Sequence, residues 1–162
     1  MPVDYFLKLE GPPIEGESTD DKHKNEIDVL SWSWGESQQG TRGAGGGGGA
    51  GKVSMQDLHF TKTSDKATPK LMLACADGQH IKKATLVCRK AGGEQQEFMT
   101  ITLSDVLVSG FQLSGSQGDV VPMEQVSLNY AKIEYSYKPQ KADGSLDAAI
   151  KAGYDLALNK KI

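Results

Sequence analysis

The chain has 162 residues, enough for one domain with a real core, and 38% of them are hydrophobic. Its mean hydropathy is −0.43, and no apolar run approaches the roughly 18 residues of a membrane helix, which excludes a protein inserted in the membrane through helices. A net charge of −3 without a stripe of Lys and Arg argues against nucleic acid as the partner, and two cysteines are too few for a secreted disulfide scaffold.

Val3, Tyr5, Leu7 and Leu9 alternate with Asp4, Lys8 and Glu10. This predicts a first strand, with Phe6 as its one exception and Gly11-Pro12-Pro13 as its end. The same residues lack the basic segment and apolar run of a signal peptide, so any export is expected to use another route. Residues 15–25, EGESTDDKHKN, are polar and mixed in charge and read as a solvated loop. EIDVLSWSWG follows, with Leu30, Trp32 and Trp34 on one face and Val29, Ser31 and Ser33 on the other. Two aromatics on a leucine's face belong in a core, which leaves Ser31 and Ser33 as a small polar face suited to a wet cavity or channel.

From Gly40 to Gly51 almost every residue is Gly or Ala. Such a segment has little side chain to bury and a high ordering entropy, so it is predicted to be an arm projected from the sheet. Gly46 to Lys52 matches the first seven positions of the phosphate loop GxxxxGK. Val53, however, stands where Mg²⁺ needs Ser or Thr, and an alternating strand follows where a helix should, so the match is read as incidental.

The alternation resumes from Lys52 to about Lys62, with Leu58 and Phe60 on one face. SDKATPKLMLACADG predicts the one helix, with Ser64, Asp65 or Thr68 as caps, Pro69 in the first turn and Gly78 as the stop. Leu71, Met72, Leu73 and Cys75 make it apolar on more than one side, so it should be well covered. Ile81 to Arg89 reads as a strand with Leu86 and Cys88 inward. Ala91-Gly92-Gly93 should turn the chain into a long partner, Gln96 to Leu107, with Met99, Ile101 and Leu103 on one face. Strand continues to Leu113. Val126, Leu128 and Tyr130 then share one parity and Ile133, Tyr135 and Tyr137 the other, a one-residue slip that predicts a bulge or bend at a barrel corner. Tyr154, Leu156 and Leu158 suggest a last strand. Seven or eight strands and one helix make a mostly antiparallel barrel or sandwich.

Chemistry is sparse. Asp57 and His59 share a strand face and could begin an acid/base or metal pair, as a small hydrolase would need, but no second pair sits at ligand spacing. No GxSxG elbow or paired carboxylate in an apolar frame is present, and the acid-rich loop lacks the spacing of a Ca²⁺ loop. Cys75 and Cys88 read as inert buried thiols. No catalytic residue, metal or cofactor is assigned.

Ten stretches, in order and nearly end to end, resemble the Hcp family (haemolysin-coregulated protein), the tube subunit of the bacterial type VI secretion system. They include VDYFLKLEG at Val3, Gly16 with His23, EIDVLSWSWG at Glu26, GGGAGK at Gly47 and QDLHFTK at Gln56. DKATPKLMLACADGQH at Asp65, RKAGGEQQEF at Arg89, VSLNYAKIEYSY at Val126, PQKADG at Pro139 and the terminal NKKI complete them. Pro12-Pro13 and Tyr154, where the family pattern suggests Trp, depart from it. The resemblance implies one domain over 1–162: a mainly β, two-sheet antiparallel barrel with one flanking helix, assembled as a hexameric ring. Rings would stack into a tube beneath a VgrG spike and inside a sheath. They would be secreted from the bacterial cytoplasm without a signal peptide and carry effector proteins in the lumen. The implied ring-stacking loop holds Gly40, Arg42, Gly43, Gly45, Gly46, Gly47, Gly48, Gly49 and Gly51. Ser31 and Ser33 would face the cargo. Leu30, Trp32, Trp34, Leu58, Phe60, Leu71 and Leu86 form the expected core. A tail-tube protein of a phage-like contractile particle is the alternative.

Overall fold

The computed structural model describes residues 3–40, 50–90 and 95–162. Strand β1 (Val3–Glu10) lies between β2 (Ile27–Val29) and β7 (His80–Lys90), in register from Val3 opposite Lys90 to Glu10 opposite Lys83. β7 pairs in turn with the 18-residue β8 (Glu97–Ser114). On its other side β8 meets β10 (Lys132–Tyr137) with its first half and β9 (Met123–Asn129) with its second. β9 pairs with β6 (Leu58–Thr63), and β6 with β3 (Ser31–Ser33). Only Leu30 separates β2 from β3, so the circuit closes as an antiparallel barrel. β11 (Ile150–Asp155) and β12 (Lys160–Lys161) extend it beyond β10. Among the described residues there are twelve strand segments, more than the seven or eight expected, because corners cut the long alternating runs.

One corner runs straight across the sheet. On β8 the buried positions pass from Leu103 to Val106, on β7 from Ala84 to Ile81, and along β10 and β9 from Ile133 to Tyr130. The registers place these pairs level with one another, at Leu103 with Ala84 and Ile133 and at Val106 with Ile81. The apolar phase therefore slips on three strands at the same level, and the Asp105 backbone at the crease has φ 52°. That is the bend foreseen from Tyr130 and Ile133, realised across neighbours so that pairing survives.

The same kind of slip corrects the expected position of Leu30. Ile27 and Val29 are buried from β2 and Trp32 packs against the core from β3, while Leu30 between them is 53% exposed. Its N–H already bonds to the Thr61 carbonyl (2.9 Å), because here the chain leaves β1 and joins β6. An unbroken alternation cannot describe a segment that changes sheet partner.

Helix α1 (Thr68–Asp77) starts beside Pro69 and ends at Gly78, whose φ of 68° is the left-handed stop that glycine adopts without strain. Leu71 and Ala74 are buried, but Met72 and Leu73 are exposed, so the helix is covered on one side only. Leu7, Leu58, Phe60, Leu71, Leu86 and Leu128 are among the residues filling the barrel. Near the C-terminus Leu156 and Leu158 lie in the turn after β11, and Leu158 is exposed, contrary to the expected last strand.

Loop 15–26 is not simply solvated. Ser18 and His23 are buried in it, over the outer face of β1 and β7. His23 stacks on Phe6 (centroids 4.3 Å apart), with Nδ1 3.0 Å from Glu26 and Nε2 2.6 Å from Glu97. Phe6, the exception to the alternation of β1, faces this loop instead of the barrel interior.

Candidate functional site: an uncharged polar trough

Strands β3, β6, β9 and the second half of β8 form one four-stranded sheet whose outward face is made of small polar residues. Register puts Ser31 opposite Thr61, Thr61 opposite Gln125 and Gln125 opposite Gln112. A second row runs from Ser33 through His59 and Ser127 to Gly110. The face is an open trough of about 490 Å³ with no carboxylate, lysine or arginine among its lining residues. Trp32, Phe60, Phe111 and Val126 support it from beneath, on the alternate positions of the same strands. Trp32 is half-buried and meets Tyr5 edge-on at 6.2 Å.

The hydroxyls pair among themselves, with Ser31 Oγ 2.6 Å from Thr61 Oγ1. At one end Ser109 donates to Asp57 Oδ2 (2.6 Å), and its single proton then leaves Ser127 to donate to Ser109 (3.0 Å). Asn129 donates to the other Asp57 oxygen (2.9 Å). Both Asp57 oxygens are thus engaged by Ser109 and Asn129. They pin the β8 register shift at Ser109. A Cβ at Gly110 would come 2.5 Å from Ser127 Oγ, so a side chain there would turn that hydroxyl away from Ser109. Apart from the Asp57 carboxylate at one end, the surface offers hydrogen bonds without charge.

Ser31 and Ser33 therefore lie in the trough, with Trp32 behind them. Trp34 is half-buried and donates its ring N–H to the Tyr130 hydroxyl, which donates to the Gln56 carbonyl (2.8 Å). This chain fastens the base of the arm. β4 (Glu36–Gly40) and β5 (Ala50–Met55) form the arm's stem, a separate two-stranded sheet, so Gly40 ends one strand and Gly51 lies in the other. Arg42, Gly43, Gly45, Gly46, Gly47, Gly48 and Gly49 lie outside the described residues, as does the turn expected at Ala91-Gly92-Gly93. Thr61, Gln112, Gln125 and Ser127 belong to the trough but were not singled out from the sequence. Their alternation was visible strand by strand, yet only the registers join them into one face.

Among the described residues no group of three or more His, Cys, Asp or Glu is placed to hold a metal ion. Burial pushes the Cys88 thiol up to about 11, which keeps it protonated and unreactive at neutral pH. No helix among the described residues is long and apolar enough to cross a membrane.

A family model described as "Type VI secretion system effector, Hcp" matches residues 6–137. The chain belongs to the Hcp family. It is 52% identical over 161 residues to protein Hcp1 of Pseudomonas aeruginosa, spanning 98% of both chains. A solved structure described as a type six secretion system protein superposes with a TM-score of 0.92 at 34% identity, over 99% of this chain and 100% of that one. Hcp1 from Salmonella typhimurium gives 0.81 at 42% identity over the full length of both. The chain is thus an Hcp protein of the type VI secretion system, and the phage-particle alternative is not favoured.

Proposed function

We propose that this Hcp chain is a non-enzymatic subunit of the secretion tube, six copies closing into a ring whose inner wall is the polar trough. The single observation that carries this reading is a face spanning four strands, built of Ser, Thr, Gln and Gly with only His59 titratable, in a chain of this family. A wall that offers scattered hydrogen bonds and no fixed charge holds a passing protein weakly, because each bond replaces one with water and gains about 1 kcal/mol or less. Effector proteins would be carried there and released, with VgrG and the sheath as partners and the extracellular medium or a target cell as the destination. β3 has one strand neighbour among the described residues, and an edge of this sort is covered by a neighbouring copy in a closed ring. The arm stem would engage the adjacent ring.

Negative-stain microscopy of the purified protein tests this directly. Sixfold annuli with an open centre are expected, and a compact monomer at high concentration would overturn the assignment.

A further inference from the structure

Two of the apolar surfaces left uncovered among the described residues lie beside β9 and past its end. The first is a groove of about 760 Å³ between the arm stem and the β10–β11 hairpin, with Trp34, Val53 and Met55 on one wall and Ile133, Tyr135 and Tyr154 on the other. It exists because β10 carries the core-facing side of the sheet past the place where the barrel closes. Ile133 is buried, but Tyr135 and Tyr137, further along the same face, are 40% and 42% exposed. The second surface is the outer side of α1, where Met72 is 54% and Leu73 57% exposed.

The first turn of α1 is tied through the Thr68 hydroxyl to Glu124 at the start of β9, while the groove is anchored on Tyr130 just past its end. α1 runs alongside β9, because His80 just after it lies level with Leu107 and Asn129, and none of its residues lines the groove. No copy can therefore cover its own groove with its own helix. Two unlike apolar surfaces on one subunit make a heterologous, head-to-tail contact. The charges agree, since Lys70 lies one turn before Leu73 on the exposed side of α1 and Glu36 lines the groove. Tyrosine and tryptophan walls are those from which interfaces draw most of their affinity.

We propose that α1 of one copy seats Met72 and Leu73 in the Trp34–Tyr135 groove of the next, with Lys70 set against Glu36. This rests on the reading of the chain as an assembling subunit and names the surfaces that meet. The test uses a Cys75→Ser background carrying both Leu73→Cys and Tyr135→Cys, oxidised mildly in the assembled state. A ladder of covalent oligomers is expected on a denaturing gel, with no cross-linking by either single variant. Monomers alone, or dimers from one of the single variants, would overturn the contact. Separately, Lys70→Glu should weaken association at least tenfold and Glu36→Lys in the same chain should restore it; failure to restore counts against the pairing. Annuli without a ladder would sink this contact but leave the tube reading, whereas a ladder without annuli would do the reverse.

Discussion

Arg89 is the residue on which loop 15–26 turns. It is 2% exposed on β7, its guanidinium donates to both oxygens of Asp20 (2.8 and 2.7 Å) and to Asp4 (3.3 Å), and it lies 4.8 Å from the centre of the Phe6 ring. The Arg89 hydrogen bonds hold the Asp20 carboxyl down at about 2, against an ordinary value of 3.8. A carboxyl with a lowered folded value favours the folded state above its unfolded value, and that contribution is lost as pH falls from about 4 to about 2. Thermal melting across that window should show the loss in the native protein, and Asp20→Asn should lower the melting temperature at pH 7 while flattening the acid dependence. Gly16 sets a steric limit in the same loop, where a Cβ would come within 2.6 Å of the Glu26 carbonyl oxygen and 2.7 Å of the Ile27 Cα. Both contacts are with backbone, which cannot turn aside as a side chain can. Gly16→Ala should therefore cost about 2 kcal/mol in urea unfolding, within the usual range for overpacking.

At the scale of elements, the crease through Asp105 lets one long strand serve two parts of the barrel. β8 pairs with β10 below it and with β9 above it without losing register between them. The left-handed backbone at Asp105 suits Gly, Asn or Asp and strains a β-branched residue. Asp105→Gly should fold as stably as the native chain, and Asp105→Val should lose about 1–2 kcal/mol, both measurable by equilibrium denaturation. The arm stem is the opposite kind of element. All five residues of β4 are exposed, and a lone two-stranded ribbon is marginal in water. Its Trp34–Tyr130–Gln56 hydrogen-bond chain holds the base, which leaves the outer part to be stabilised by whatever it meets.

The whole molecule divides its surfaces by chemistry. The trough is polar and uncharged, the α1 side and the groove are apolar, and the outer sheet under loop 15–26 carries the charged cluster. Placing a charge in the trough should act on cargo and not on folding, because Ser33 is exposed. Ser33→Glu is expected to leave rings intact in micrographs and to reduce co-purification of an effector severalfold; broken rings would place that face at an interface. Deleting Gly43 to Gly49 shortens the segment that joins β4 to β5 without touching either strand. Single rings should persist while stacked tubes and secretion fall, and normal tubes would refute a stacking role.

Much of the architecture was legible in the residues. Period-two alternation marked the strands around Leu7, Phe60, Leu86 and Ile101, Pro69 and Gly78 bracketed the helix, and the slip between Tyr130 and Ile133 announced the corner. Order and spacing of the motifs named the family. Alternation states which residues share a face, but not which strand lies alongside or where the chain changes partners. Leu30 kept the parity of Trp32 and still came out exposed, for the change of sheet falls on that residue. Met72 and Leu73 look like core in a helical pattern, and only the single contact side of α1 shows otherwise. Phe6, His23 and Arg89 come together across as many as 83 positions because β1 and β7 pair. Local physical chemistry wrote the elements into the chain, whereas long-range strand pairing, which no local pattern encodes, decided the trough, the buried charges and the groove.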